Sequence, residues 1–308
     1  MKALVYKSTG SWYTLKDESG RFWNGRMKGV MKLDDITSTN PVAVGDWIQA
    51  EIENEGSSTA TINEILDRHN YINRQSPRHK HQHHIVAANL DQSLLVATLK
   101  EPKTSQGFID RFLVASEMYH VPAIIAFNKS DLYKNKEMDK YEQWKAMYEA
   151  IGYKVLLVSA EKEEGLEELK ELLKDKTTLI SGHSGVGKSS LLNALFPGMN
   201  QKTQDVSGWS GKGQHTTTFA EMFDMPFGGK IIDTPGMREF GLVDISKAEL
   251  SHYFPEMRDR LNGCQFNNCL HVNEPGCAIK EAVINEEIHE DRYVSYVGIL
   301  DSIEEKNY

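Results

Sequence analysis

The first 70 or so residues of the chain alternate short apolar stretches with polar and turn residues. These stretches occupy residues 3–6, 12–15, 21–23, 41–52 and 59–66. Short strands at close spacing, separated by Gly, Asn and Asp, predict a small all-β barrel over residues 1–70. A polar stretch with Arg74, Arg78, Lys80 and four histidines follows, and we interpret residues 71–84 as an exposed linker. The histidines lack a fixed set of partners, so a solvated basic loop is favoured over a metal site.

From residue 85 the pattern changes to apolar runs that alternate with helical segments. The runs predicted as strands are residues 93–99, 123–127, 154–159 and 177–180, and helices are predicted near residues 110–119, 141–152 and 166–173. This alternation is typical of β-α-β units and predicts a mainly parallel sheet covered on both faces. We therefore predict an α/β domain over residues 85–244 and a mainly helical domain over residues 245–308.

Composition fits a folded protein of several domains. The chain has 308 residues, of which 40% are hydrophobic and 26% are charged. No apolar run approaches the roughly 18 residues that span a bilayer, and the first residues lack a signal-peptide core, so we expect a cytoplasmic protein without membrane contact. The net charge of −9 argues against nucleic-acid binding through the overall field. Any RNA contact must use local basic patches.

Residues 182–189 match the pattern GxxxxGK[ST] between a predicted strand and a predicted helix, and we call them the phosphate loop. Glycines let backbone N–H groups turn toward phosphate oxygens, Lys188 would reach the β- and γ-phosphates, and Ser189 would ligate Mg²⁺. The alternative is a chance glycine-rich turn, and the motif alone does not choose ATP or GTP. The predicted nucleotide contacts here are Gly182, His183, Ser184, Gly185, Val186, Gly187, Lys188, Ser189 and Ser190.

Residues 128–131 choose the base, and we call them the base loop. They read Asn-Lys-Ser-Asp and follow a buried strand. The carboxylate of Asp131 can accept two hydrogen bonds from the guanine N–H edge, whereas adenine would leave it unpaired. Asn128 and Lys129 complete the motif. Ser159 and Ala160 follow the next strand, where a backbone N–H can meet the guanine oxygen.

Downstream, Asp233 to Gly236 fits DxxG at the end of an apolar strand, with the aspartate in the magnesium shell and the glycine N–H on the γ-phosphate. Residues 208–218 are rich in glycine and end in three threonines, as expected of a mobile switch. We expect Thr217 to ligate Mg²⁺ when GTP is bound, with Thr216 the next choice. The alternative for the threonines is the start of a strand.

Catalysis needs a group that orients the attacking water. Met237 follows the DxxG motif, where many GTPases carry glutamine, and a thioether cannot orient water. His215 on the switch can hydrogen-bond a water, so it is the candidate catalytic residue together with Thr217. The alternative is a loop histidine without a catalytic role.

All three cysteines lie close together near the C-terminus. Cys264, Cys269, His271 and Cys277 supply the Cys₃His set of closed structural zinc sites. We therefore predict one structural Zn²⁺ per chain. The alternative is three buried thiols beside an unrelated histidine.

The order of these motifs is permuted, because the base loop precedes the phosphate loop. Segments along the whole chain resemble the circularly permuted family known as ribosome small subunit-dependent GTPase A. They are VGDWI, AANLDQSLLVAT, IDRFLVASE, NKSDL, SGHSGVGKSSLLNAL, HTTT, DTPGMREFGL and the closing EPGC. The resemblance implies an N-terminal OB-fold, a circularly permuted P-loop GTPase core and a C-terminal zinc domain.

The resemblance also implies a GTP hydrolase in late maturation of the small ribosomal subunit, which binds the subunit and its rRNA and leaves on hydrolysis. Mg²⁺ with GTP or GDP is the expected cofactor, and a monomer is expected. Gln214 departs from the family, where a basic residue is expected before the histidine. Candidates for the remaining basic surface are Arg21, Arg26, Lys28, Arg74, Arg78 and Lys80.

Two other functions remain open. One is a GTP-gated protein-binding module whose hydrolysis is incidental. The other is a metal-delivery GTPase, which fits less well because the Cys₃His set is closed.

Overall fold

The structure is a computed structural model that describes residues 1–27, 41–75, 83–197, 220–234 and 245–303. The first five strands close into a barrel through four antiparallel pairings and one parallel pairing. Its strands are β1 (Lys2–Ser8), β2 (Tyr13–Asp17), β3 (Phe22–Met27), β4 (Trp47–Asn54) and β5 (Thr59–Ile65). The strand order is β1-β2-β3-β5-β4, and β4 returns to β1. Alternate residues such as Leu15, Trp23 and Ile48 fill the interior, so the predicted barrel is confirmed.

A two-stranded hairpin lies where an exposed linker was predicted. Strands β6 (Tyr71–Gln75) and β7 (His83–Ala88) pair antiparallel, and residues 76–82 are outside the described residues. The described ends of the predicted linker, residues 71–75 and 83–84, thus lie in paired strands, and its bounds stay a prediction. Ile72 of β6 and Ala87 of β7 are fully buried in the core.

A six-stranded sheet, which we call the central sheet, occupies the middle of the chain. Its strands are β8 (Gln92–Ala97), β9 (Ala123–Phe127), β10 (Lys154–Leu157), β11 (Thr177–Ser181), β12 (Glu221–Asp224) and β13 (Lys230–Asp233). The order is β10-β9-β8-β11-β13-β12, with only β12 antiparallel to its neighbour in this sheet. This confirms the predicted mainly parallel sheet.

Helices cover both faces of the central sheet. They are α1 (Gln106–Met118), α2 (Asn135–Ala150), α3 (Leu166–Leu173) and α4 (Lys188–Leu195). Successive strand residues point to opposite faces, so Leu95 packs in the core with α1 and α2, while Leu94 packs in the core with α3 and α4. Strands β8 and β9 are buried along their whole length, as expected for a sheet covered on two sides.

The barrel and the central sheet form one continuous sheet of 11 strands, joined where β1 pairs with β12. Lys7 faces Glu221 across this join, and the Lys7 ammonium lies 2.9 Å from the Glu221 carboxylate. The hydroxyl of Tyr6 donates to Asp224 at 2.7 Å. Side chains of the barrel therefore fix the strand that leads through a hairpin into Asp233.

The VGDWI motif, residues 44–48, lies at the start of β4, where Val44 pairs with Ala87 of β7. Gly45 has a left-handed φ of 91°, and a Cβ there would lie 2.1 Å from the carbonyl oxygen of Ala88. The carboxylate of Asp46 accepts from the backbone of Ala43 at 2.7 Å and from the guanidinium of Arg68 at 2.6 Å. Gly45 therefore allows the close approach of the barrel to β7, and Asp46 holds the turn before β4.

The C-terminal region is helical, as predicted. Its helices are α5 (Pro255–Arg258), α6 (Ala278–Ile284) and α7 (Glu290–Ser302). It packs on α1 through a buried ionic cluster, in which the Arg292 guanidinium lies 2.5 Å from Asp110 and 2.7 Å from Glu256. Within the described ranges, no helix has the length and apolar character needed to cross a membrane. The domain boundaries at residues 70, 84 and 244 stay predictions.

Candidate functional site

The phosphate loop joins the end of β11 to the start of α4. Gly182 and Gly187 have positive φ angles of 148° and 90°. A Cβ on Gly182 would lie 2.3 Å from the carbonyl oxygen of Val96, and one on Gly187 would lie 2.5 Å from the side-chain amide of Asn128. The glycines therefore allow the loop to pack against two neighbouring strand ends, which a side chain would prevent.

Lys188 is folded back into the phosphate loop. Its ammonium donates to the carbonyl oxygens of Gly182 at 2.6 Å and of His183 at 3.0 Å. Burial lowers the pKa of Lys188, and the nearby Asp233 carboxylate acts in the opposite direction. The loop thus holds a partly buried cation near the Asp233 carboxylate, an arrangement suited to a polyanionic ligand that arrives with a metal ion.

Asp233 ends strand β13 beside the phosphate loop. Burial raises the pKa of Asp233, and the Lys188 ammonium opposes that effect. Asp233 Oδ1 and Thr234 Oγ1 are buried and have no hydrogen-bond partner among the described residues. Magnesium prefers oxygen ligands and keeps several waters, so these unpaired oxygens fit a site for a hydrated Mg²⁺. Ser189 is exposed at the start of α4.

The base loop is tied to the phosphate loop by one buried side chain. The amide of Asn128 donates to the carbonyl oxygen of Val186 at 2.9 Å, and its oxygen accepts from the N–H of Ala160 at 3.1 Å. Asn128 is 1% exposed. The predicted base loop, phosphate loop and Ser159–Ala160 segment are therefore brought together around Asn128.

Asp131 projects from the base loop with an exposed carboxylate. The hydroxyl of Ser159 donates to Asp131 Oδ1 at 2.5 Å, and the same hydroxyl accepts from the N–H of Lys162 at 3.1 Å. This chain of hydrogen bonds holds Oδ1 and leaves Oδ2 for a ligand. Ala160 donates its N–H to Asn128 here, so its predicted contact with the guanine oxygen stays a prediction. Lys129 has a left-handed φ of 64°, and its ammonium donates to the carbonyl oxygen of Glu101.

Two residues near the site were missed by the sequence analysis. Tyr133 bonds the backbone of the base loop through its hydroxyl. Phe108 of α1 stacks on His183 of the phosphate loop, with ring centroids 3.6 Å apart. Neither belongs to a recognised motif, and only the position of Tyr133 two residues after Asp131 offered a signal.

Several predicted site residues lie outside the described residues. They are the switch residues His215, Thr216 and Thr217, together with Gln214, Gly236 and Met237. Their roles stay predictions. Exposed positions around the phosphate loop that the structure does describe include Ser184, Gly185 and Ser190.

The cysteine cluster is assembled in the C-terminal region. The ligand atoms of Cys264, Cys269, His271 and Cys277 all lie within 4.8 Å of one another. His271 Nδ1 lies 3.5 Å from Cys264 Sγ and 3.4 Å from Cys277 Sγ. Burial raises the pKa of Cys269 to about 12 and lowers the pKa of His271. The cluster can therefore bind a metal ion, which would favour the thiolate and neutral imidazole forms.

The loop that carries the cluster is held by hydrogen bonds within it and from α7. Burial opposes ionisation of Glu274, yet backbone N–H groups of the loop, beginning with Leu270, lower the pKa of Glu274 to about 2. The hydroxyls of Tyr293 and Tyr296 on α7 donate to the carbonyl oxygens of His271 at 2.7 Å and Leu270 at 2.9 Å. These bonds fix the backbone at His271.

Two residues of the predicted basic surface bond other groups of the barrel. Arg21 donates to the carbonyl oxygen of Glu55 at 2.6 Å and lies over the ring of Trp23. Arg26 lies 3.1 Å from the Glu53 carboxylate. Arg74 lies in β6. The other three candidates, Lys28, Arg78 and Lys80, are outside the described residues.

Two family matches together cover most of the chain. Residues 65–243 match the family described as RsgA GTPase, and residues 2–60 match the RsgA N-terminal domain. A protein of Flavobacterium psychrophilum named small ribosomal subunit biogenesis GTPase RsgA is 49% identical over 306 residues, which are 99% of this chain and 94% of that protein. A protein of the same name from Cytophaga hutchinsonii is 50% identical over 300 residues, covering 97% and 98% of the two chains.

Solved structures show the same architecture. YjeQ from Thermotoga maritima superposes with a TM-score of 0.80 at 34% identity over 99% of both chains. YloQ, described as a circularly permuted GTPase, superposes with a TM-score of 0.74 at 31% identity over 100% of this chain and 96% of that one.

Proposed function

This chain belongs to the RsgA GTPase family, and from that membership we propose that it hydrolyses GTP in the biogenesis of the small ribosomal subunit. The observation that carries the proposal is the buried side chain of Asn128. It bonds both the phosphate loop and the Ser159–Ala160 segment, so the elements for base and phosphate recognition form one site.

Guanine recognition is assigned to Asp131. Its Oδ2 is free of the bond that Ser159 makes to Oδ1 and can accept from the guanine N–H edge. A site built to hydrogen-bond a group strongly rejects an analogue that lacks it, because its own polar groups then stay unpaired. Asn128 ties this loop to the phosphate loop, and Lys129 ties it to Glu101 after β8.

Phosphate binding is assigned to the phosphate loop and Lys188. The ammonium leaves the carbonyl oxygens of Gly182 and His183 to contact the β- and γ-phosphates. Ser189, Asp233 and Thr217 would hold Mg²⁺, which neutralises charge on those phosphates when bound. The buried, unpaired Oδ1 of Asp233 supports this assignment.

Orientation of the attacking water is assigned to His215. Met237 carries a thioether in place of the amide that orients water in many GTPases. Positioning supplies most of the catalysis of phosphoryl transfer. The free enzyme should therefore be slow, and ordering of the switch on the ribosomal subunit should speed hydrolysis.

The barrel and the cysteine cluster are assigned roles in folding and in binding the ribosomal subunit. One Zn²⁺ per chain would be held by the four ligands of the cluster, with no open position for catalysis. Small barrels of this kind and zinc modules are frequent RNA-binding platforms. We assign contact with rRNA to these two regions.

Pelleting with purified small subunits tests the function. More protein should sediment with a non-hydrolysable GTP analogue than with GDP. The variant Lys188→Ala, which loses the phosphate contact, should sediment equally in both. A protein that hydrolyses GTP but sediments in neither state would contradict the ribosomal role and favour the GTP-gated protein-binding module.

A further inference from the structure

Tyr133 connects the base loop to the end of a neighbouring strand. Its hydroxyl donates to the carbonyl oxygen of Asn128 at 2.7 Å and accepts from the N–H of Leu99 at 3.0 Å. Leu99 lies just beyond β8, which is the strand next to the one that leads into the base loop. One hydroxyl therefore joins the backbones of two loops at the same edge of the sheet.

The same two loops are joined at two further points. The ammonium of Lys129 donates to the carbonyl oxygen of Glu101, and that of Lys100 donates to the carbonyl oxygen of Leu132 at 3.4 Å. Both of those bonds involve long, flexible side chains that water can replace. Tyr133 is different because its ring is partly buried and its hydroxyl bonds main-chain atoms on both sides.

The groups that Tyr133 bonds have little access to water. Asn128 is 1% exposed and Leu99 is 5% exposed. A buried polar group that loses its partner is more costly than an exposed one. Burial also raises the pKa of Tyr133 to about 12, so the hydroxyl keeps its proton near neutral pH and can donate and accept at once.

We propose that Tyr133 is a positioning residue for guanine specificity, which sets the place of the base loop and hence of Asp131. The proposal rests on the assignment of Asp131 to the guanine edge. The carbonyl of Asn128 is three residues before Asp131, and the short helical turn Ser130–Leu132 connects them. Release of that carbonyl moves the loop that carries the carboxylate, while the bonds of Lys188 within the phosphate loop stay in place.

The variant Tyr133→Phe removes only the hydroxyl and keeps the ring. Dissociation constants for GDP and IDP should be measured by calorimetry, because IDP lacks the exocyclic amino group that Asp131 would read. We expect GDP to bind about tenfold more weakly, which corresponds to about 1.4 kcal/mol. The loss for IDP should be smaller, so the preference for GDP over IDP should fall. The KM for GTP should rise, with kcat at saturating GTP near the wild-type value.

Tyr153→Phe is the matched control. Its hydroxyl also bonds a partner, Glu117 at 3.2 Å, but at the far end of α1 and away from the nucleotide loops. We expect this control to lower the melting temperature and to leave both dissociation constants unchanged. Melting temperatures of both variants without nucleotide separate lost stability from lost specificity.

Two outcomes would overturn the proposal, and they differ. If wild-type protein prefers GDP over IDP and Tyr133→Phe keeps the wild-type preference, Tyr133 does not position Asp131. If wild-type protein itself shows no preference between GDP and IDP, the assignment of Asp131 to the guanine edge fails, and the role of Tyr133 fails with it.

Discussion

The buried contact between Arg292 and the two carboxylates gives the sharpest test of how the C-terminal region is attached. Arg292 on α7 pairs with Asp110 on α1 and with Glu256 on α5. Its side chain is 1% exposed, and its guanidinium also lies 4.6 Å from the ring centre of Phe254. The variant Arg292→Met keeps much of the side-chain volume and removes the charge.

The expected loss in the free energy of unfolding follows from the burial of Arg292. This substitution would leave two buried carboxylates without their positive partner, and breaking a buried ion pair from one side costs about 3 to 5 kcal/mol. Whole domains are stable by only about 5 to 15 kcal/mol. At about 4 to 8 °C per kcal/mol for a region of this size, the thermal midpoint of the C-terminal region should fall by roughly 12 to 40 °C.

Arg258→Met is the control, because Arg258 joins the same two parts of the protein. It pairs with Glu117 of α1 at 3.1 Å, but its side chain is 49% exposed. An exposed pair contributes about 0 to 1 kcal/mol. Thermal unfolding by circular dichroism, with hydrogen exchange of the α7 segment, should separate the two variants. Equal midpoints and equal exchange would refute the assignment of a large stabilising role to the buried cluster.

Three further predictions concern the site. Asp131→Asn should weaken GTP binding and favour XTP, because the edge contact changes from acceptor to donor; unchanged discrimination in a binding assay would remove Asp131 from base recognition. Purified protein should hold about one Zn²⁺ by elemental analysis, and Cys277→Ser should unfold the C-terminal region while nucleotide binding persists. Protein prepared without chelator that contains no zinc would refute the site. His215→Ala should abolish subunit-stimulated GTP turnover at nearly unchanged GTP affinity, and wild-type stimulated turnover would point to a group supplied by the ribosome.

Motifs contiguous in sequence could be placed on the fold in advance, while the roles of their residues stay predictions. The phosphate loop and the base loop each need only a few consecutive residues after a strand, so spacing alone located both. The four cluster ligands lie within fourteen positions from Cys264 to Cys277, and the structure brings them within 4.8 Å of one another. Binary patterning likewise predicted the barrel strands and the central sheet, because apolar periodicity follows burial.

Contacts between distant residues were not predictable. Tyr133 bonds Leu99 across 34 positions, and Arg292 bonds Asp110 across 182. Neither pair is marked by a local sequence motif, since a single Tyr or Arg occurs in many structural environments. The hairpin of β6 and β7 was missed for a related reason. Its strands flank a polar stretch, and its burial is set by the barrel and central sheet around it.

The pairing of β1 with β12, at Lys7 and Glu221, has a consequence for the choice of protein fragments. An unpaired strand edge is a template for pairing with other chains, and β1 covers the edge of β12 here. The barrel also supplies Leu4, Tyr6 and Val44 to the core that the central sheet shares with α1 and α2. A fragment that starts after the barrel would lose this cover and expose that core. The N-terminal barrel thus protects the edge of the central sheet from pairing with other chains. The central sheet and its helices should therefore be produced only with the barrel attached.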